Sequence, residues 1–368
     1  MNPEAVPFDH QQFASRKAEA SVRLREMHGE EISEAHSFTH LSNVAGLTQV
    51  VGSLYEFSPH VLDLALYPGF THDLVRSSSE DHDKLSDEEA TADGVVSLLK
   101  KERTRGKIDL SDDELGAIHF AIANHSNFPS MFGDPVTRNE MPETLADKLH
   151  VAVFVADKLE ANGSRVIARR SGFVAGDRLQ EGGDWQGFGF RPKSSDYTGD
   201  EQLVVALESM IRMGFKNPKD IYPDRLKPLV DPLYGIQEEF FLGVCKASGF
   251  TIEGLADKLV NTRNENGRSI LEASGVKNAP ADAAEVAEIF KRRSGLITES
   301  IVLVDDDLAN SAREAVDYFS ARYRDDLDAI SLSWDPQGGA AKKWHTGMIG
   351  YGDGTWVKDI KKQFNIEV

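Results

Sequence analysis

The sequence predicts a mainly α-helical protein built from two regions. Apolar residues recur at helical spacing through the first half, and nothing there alternates with period two. Helix-start and helix-stop residues bracket those stretches. Between about 176 and 200 the chain changes character. GDRLQEGGDWQGFGFRPKSSDYTGD is rich in glycine and polar residues, which suits a loop. We read 1–180 as a helical unit, 181–200 as a Gly-rich linker, and 201–368 as a second, mostly helical region ending in a small β-hairpin.

The elements follow in order. Residues 11–31 are polar and helical in composition. Residues 38–56 place Leu41, Val44, Leu47, Val51 and Leu54 on one apolar stripe. After Pro59 a short apolar helix is expected, interrupted near Pro68-Gly69. Residues 86–103 open with Ser86 and acids and close with bases, as the helix dipole favours. Ser111 starts another helix with the capping pattern S-D-D-E. Residues 143–163 form a strongly apolar helix stopped at Asn162-Gly163. In the second region, helices are expected over 200–215, 236–248, 251–262, 283–293 and 308–324. The group of acids in VLVDDDL (302–308) reads as a solvated helix start. DAISLSW and WHTGMIGYGDGTWVKDI carry β-branched and aromatic residues around a GYGDG turn and predict the hairpin. Trp334, Trp344 and Trp356 read as members of a small core.

Composition excludes several classes. With 40% hydrophobic and 27% charged residues in 368, the chain is neither disordered nor fibrous. No apolar run is long enough to span a bilayer, so no membrane association is expected. The N-terminal MNPEAVPFDHQQF lacks a basic start and an apolar stretch, so no secretory signal is expected. The single cysteine, Cys245, forbids an internal disulfide and points to a reducing cytoplasm. A net charge of −19 repels nucleic acid, and no nucleic-acid partner is expected. Self-association into a homo-oligomer stays open.

The chemistry-bearing residues crowd into the first region. Seven of eleven histidines lie between 36 and 125. His36 and His40 are four apart and share a helix face. His72-Asp73 closes an apolar helix, His82 sits in EDHDK, and His119 and His125 lie in IHFAIANHS. Asp157 is embedded among Val151, Val153, Phe154, Val155 and Ala156. A carboxylate there is costly to bury unless a cation or hydrogen-bond donors compensate it. Imidazole nitrogens and carboxylate oxygens together suit a divalent transition metal such as Mn, Co, Ni, Fe or Zn. His36 and His119 read as structural.

Taken together, AHSFTHLSNVAGL, FTHDLVRS, AIANHS and VADKLEANGSRVIARRSG resemble the HD-domain metal-dependent phosphohydrolases, in particular a group of small bacterial HD hydrolases. The resemblance covers roughly residues 30–175. It implies an HD-domain helical bundle whose metal ligands are His40, His72, Asp73 and Asp157. It further implies that His125 holds a second metal or contacts phosphate. His36 matches the opening of the A-H-x-x-x-H segment. The further histidine of two-metal members has one candidate here, His82, and the lysine common after the His-Asp pair is replaced by Arg76.

The implied activity is hydrolysis of a nucleotide or another small phosphate ester by a metal-activated water. Asp73, His125 and Arg76 are the catalytic candidates. Arg76, His125, Arg165 and Arg169 are the candidates for holding the phosphorylated substrate, Arg165 and Arg169 sharing a helix face. Dipole compensation and surface pairing are the competing reading of the arginines. Two other functions stay open: an HD-type di-iron oxygenase, which needs both His82 and His125 on metal, and a non-catalytic nucleotide-binding regulator.

Overall fold

The computed structural model describes residues 38–73, 87–163, 165, 221–263, 267–273, 280–294, 298–321, 333–334, 344 and 354–366. These residues are mainly helical. They divide into two compact units, Met1–Ser130 with Met141–Asp157 and Met131–Glu140 with Lys158–Val368. The segment expected to link two domains, 181–200, lies outside the described residues, as do the helices expected over 11–31 and 200–215.

The first unit contains α1 (Phe38–Leu54), α2 (Pro59–Thr71), α3 (Asp87–Thr104), α4 (Asp112–Ala123) and most of α6 (Leu145–Glu160). Helices α1 and α2 pack on each other, α3 packs on α4, and α2 also meets α4. Helix α2 begins at an extended Ser58 whose hydroxyl accepts from the Val61 amide, with Pro59 at a position that needs no amide. It does not stop at Pro68-Gly69 but runs on to Thr71. Residues 64–71 are all buried, so tertiary packing outweighs the hydrogen bond that Pro68 cannot make. At the crossing, a Cβ on Gly69 would meet Ala45 Cα at 2.7 Å, so only glycine lets α1 and α2 approach this closely.

Helix α4 carries the capping box its sequence spells. The Ser111 hydroxyl accepts from the Glu114 amide at 3.2 Å, and the Glu114 carboxylate accepts from the Ser111 amide at 2.6 Å. Helix α6 is apolar around its whole circumference from Val151 to Ala156, and all six residues are buried. Such a helix belongs at the centre of its unit. The chain leaves it through Asn162 and a left-handed Gly163 (φ 71°).

The second unit contains α5 (Ser130–Gly133) from Met131 onward, a 3-10 turn (Asp224–Leu226), α7 (Lys227–Ala247), α8 (Ile252–Asn261), α9 (Ile270–Ala273), α10 (Ala283–Ser294), α11 (Thr298–Leu303), α12 (Asp306–Ala321) and α13 (Thr355–Gln363). Helix α7 starts nine residues before the expected position 236. Pro228 fits its first turn, and burial of Leu229, Val230, Leu233 and Tyr234 holds the helix through Pro232. Its core joins Phe240, Val244, Leu255, Phe290 and Phe319 to Trp334 and Trp344. Asp305 caps α12, its carboxylate accepting from the Asp307 amide at 2.8 Å, so the acids of VLVDDDL do mark a helix start.

No strand occurs among the described residues; one isolated bridge pairs Arg263 with Ser269. The segment TWVKDI, expected in the hairpin, is instead helical in α13. Trp356, Val357 and Ile360 share one buried helix face, a spacing that turn residues upstream disguised. The rest of the expected hairpin lies outside the described residues, apart from Ser333, Trp334, Trp344 and Gly354.

Candidate metal centre

Four chain segments deliver His40, His72, Asp73, His125 and Asp157 to one place inside the first unit. His40 is in the first turn of α1, and His72-Asp73 follows directly on α2. His125 sits in the turn after α4, and Asp157 in the last turn of α6. All five are buried, with exposures of 0%, 1%, 2%, 2% and 9% in that order.

The functional atoms converge. His40 Nε2 lies 3.2 Å from His72 Nε2. Asp73 Oδ2 is 3.6 Å from each of these nitrogens. Asp157 Oδ1 is 3.6 Å from His40 Nε2 and 3.7 Å from His72 Nε2. The other Asp73 oxygen, Oδ1, faces His125 Nε2 at 3.4 Å. The groups His40, His72, Asp73 and His72, His125, Asp157 each keep their ligand atoms within 4.8 Å of one another.

Two rings are turned by their own helices. His72 Nδ1 donates to the Gly69 carbonyl at 3.1 Å, and His125 Nδ1 donates to the Ile122 carbonyl at 2.8 Å. With Nδ1–H held by a carbonyl, each ring turns its Nε2 inward. Burial holds the His72 imidazole below its usual range, against the opposing pull of Asp73 and Asp157. Imidazole nitrogens and two carboxylates thus face one another across a few ångströms.

This donor set fits a divalent transition metal. Bonds of about 2.1 Å at tetrahedral or octahedral angles place neighbouring ligand atoms about 3.0–3.4 Å apart, close to the spacings here. Two neutral imidazoles and two carboxylates carry a charge that a dication cancels. Burying a carboxylate costs several kcal/mol per ion, a cost that a cation at this point would offset.

The chain matches no protein-family model, no curated protein and no solved structure. What the site can do is read from its own residues.

The remaining sequence candidates are placed as follows. His36, Arg76, His82 and Arg169 lie outside the described residues. His119 sits at the α4 surface, 3.0 Å from Asp93 and 3.8 Å from Glu89. Arg165, in the second unit, is buried and closes the end of α6. It donates to the carbonyls of Glu160 at 2.8 Å, Leu159 at 2.7 Å and Asn162 at 3.2 Å, beneath the Trp356 ring.

One residue escaped the sequence reading. His150 is buried on α6 at positions i, i+4, i+7 with Phe154 and Asp157, so the three share a face. Its Nε2 donates to the Asn127 carbonyl at 3.1 Å. Burial pushes its imidazole below the usual range, opposed by the carbonyls of Asn127 and Asn124. Its signal was the heptad offset from Asp157, the two flanking the apolar run Val151–Ala156 on one helix face.

Proposed function

We propose that the first unit binds a divalent transition metal and hydrolyses a small phosphate ester, a nucleotide among the candidates. The observation that carries this is the convergence of His40, His72, Asp73 and Asp157, two of them carboxylates buried in an apolar interior. His40 Nε2, His72 Nε2, Asp73 Oδ2 and Asp157 Oδ1 would hold the cation. When bound, the cation supplies an acidified water and Lewis-acid stabilisation of phosphoryl charge. Asp73 Oδ1, turned toward His125, would accept a proton from the attacking water. His125, its Nδ1–H held by the Ile122 carbonyl, would turn Nε2 toward a second cation or a phosphoryl oxygen. Arg76, in the sequence just beyond Asp73, is the candidate for a forked phosphate contact.

The division of Asp73 between two directions also favours a second cation beside His125. Two equivalents of iron in the protein, with oxygen consumed on substrate addition, would turn the assignment toward a di-iron oxygenase.

The test is elemental analysis of the full chain purified without chelators, followed by phosphoester turnover with Mn²⁺, Co²⁺, Ni²⁺ and Mg²⁺. Bound metal and metal-dependent hydrolysis are expected. Asp73→Ala should lose the metal and at least a hundredfold in rate. A chain that takes up no metal, or an Asp73→Ala variant with undiminished hydrolysis, overturns the proposal.

A further inference from the structure

His125 sits in a tight turn that leaves α4. The Asn124 amide reaches back to Phe120 O at 3.1 Å, and the Asn127 amide reaches Asn124 O at 2.8 Å. The Asn127 side chain adds a bond to Asn124 Oδ1 at 3.1 Å. These bonds are local and fix the shape of the turn. They do not fix where the turn stands relative to α6, which carries Asp157. Contacts across that gap include those of His150 and a pair of phenylalanine rings. His150 Nε2 donates to Asn127 O at 3.1 Å, its ring meets Phe120 edge-on at 5.6 Å, and Phe128 meets Phe154 at 5.3 Å. The ring contacts are weakly directional, whereas an N–H···O bond, here partly buried, sets a distance.

We infer that His150 is a positioning residue: its Nε2–H clips the 124–127 turn to α6 and so sets His125 Nε2 against Asp73 and Asp157. This rests on the metal-centre proposal above and deepens it. The geometry gives His150 a definite job. His150 and Asp157 lie two turns apart on one helix face, and the turn it grips holds His125 two residues before the gripped carbonyl. One rigid helix thus places a ligand directly with Asp157 and a second one indirectly through His150. Contacts of this kind behind metal-binding groups usually matter by ten- to a hundredfold in affinity.

The experiment uses the full-length chain and Mn²⁺ titrated by isothermal calorimetry, with melting of the metal-free protein as control. Three variants are compared with wild type. His150→Leu keeps an apolar body between Phe120 and Phe154 but has no donor. His150→Gln keeps an N–H at similar reach. His125→Ala removes the group that is positioned. His150→Leu is expected to weaken Mn²⁺ binding roughly tenfold, and His150→Gln to recover most of it. In the His125→Ala background, His150→Leu should cost nothing further, because the two act through one nitrogen. A merely structural role would lower the melting temperature of both variants and add to the loss in the double variant. If wild type binds Mn²⁺ and His125→Ala weakens it while His150→Leu does not, the positioning role is overturned and the metal centre stands. If wild type binds none, both are overturned. Additive losses in the double variant also overturn the positioning role.

Discussion

Replacing Gly69 by alanine sets two opposed effects against each other, and their magnitudes decide the sign. Within a helix, alanine is favoured over glycine by about 1 kcal/mol. Against this, the new methyl would lie 2.7 Å from Ala45 Cα and 3.2 Å from Ala45 N and Cβ. Carbon atoms rest about 3.5–4.0 Å apart, so α1 and α2 must separate by roughly 1 Å. The obstacle is backbone and cannot rotate away. Overpacking of this kind costs about 1–3 kcal/mol, so the net result is a destabilisation of up to about 2 kcal/mol. The same separation acts on the site. His40 lies on α1 and His72 at the end of α2, and their Nε2 atoms are 3.2 Å apart because the helices cross where they do. Metal ligands tolerate errors of about 0.2 Å, so Mn²⁺ affinity should fall by tenfold or more. Calorimetric melting and Mn²⁺ titration measure both. Gly116→Ala is the control: it sits exposed on α4 with nothing within 4 Å of its new methyl, and it should stabilise. A Gly69→Ala protein as stable as wild type, with unchanged Mn²⁺ affinity, would refute the reasoning.

Other expectations can be checked with simpler measurements. Ser111→Ala should cost about 1 kcal/mol through loss of the α4 cap, read from urea unfolding. Burial works against ionisation of Glu114, but hydrogen bonds from the Ser111 amide and hydroxyl and from His60 outweigh it and hold its carboxyl below the ordinary 4.5. A depressed carboxyl stabilises fully above its unfolded value and loses that contribution as pH falls through its folded value. Wild type should therefore lose stability faster than Glu114→Gln as pH drops below about 4.5. Arg165→Met keeps the bulk but strips donors from three carbonyls and should destabilise by about 2 kcal/mol or more, visible as a lower melting temperature. Burial pushes the Cys245 thiol well up, so it should resist alkylation by iodoacetamide in the native protein and react once urea unfolds it.

How much was legible before any coordinates depended on the physics involved. Asp157 stood out because a carboxylate in an apolar helix has a cost that something must offset, and that cost is visible in one dimension. The S-D-D-E box and Asn162-Gly163 act through bonds between near neighbours, so they read directly. Pro68-Gly69 misled because its local meaning, a break, differs from its tertiary meaning, a close crossing. The N-terminal half of α7 was hidden by two prolines that burial overrides. TWVKDI was drawn into a hairpin by its aromatic and β-branched residues, although its three buried side chains sit at helical offsets. His150 went unseen because its partner is a main-chain oxygen, and carbonyls leave no mark in a sequence. The orientation of Asp73, with one oxygen toward His40 and His72 and the other toward His125, is likewise a property of rotamers and not of spelling.

The gathering of five ionisable side chains from positions 40 to 157 has a bearing on the life of the protein as well as on its chemistry. A dication seated among them would staple distant stretches of chain that no disulfide joins. Folded lifetime would then follow supply: at a free concentration a hundred times the dissociation constant, occupancy adds about 2.7 kcal/mol. Starving a cell of that element would thin the population by degradation, even before any substrate went unprocessed.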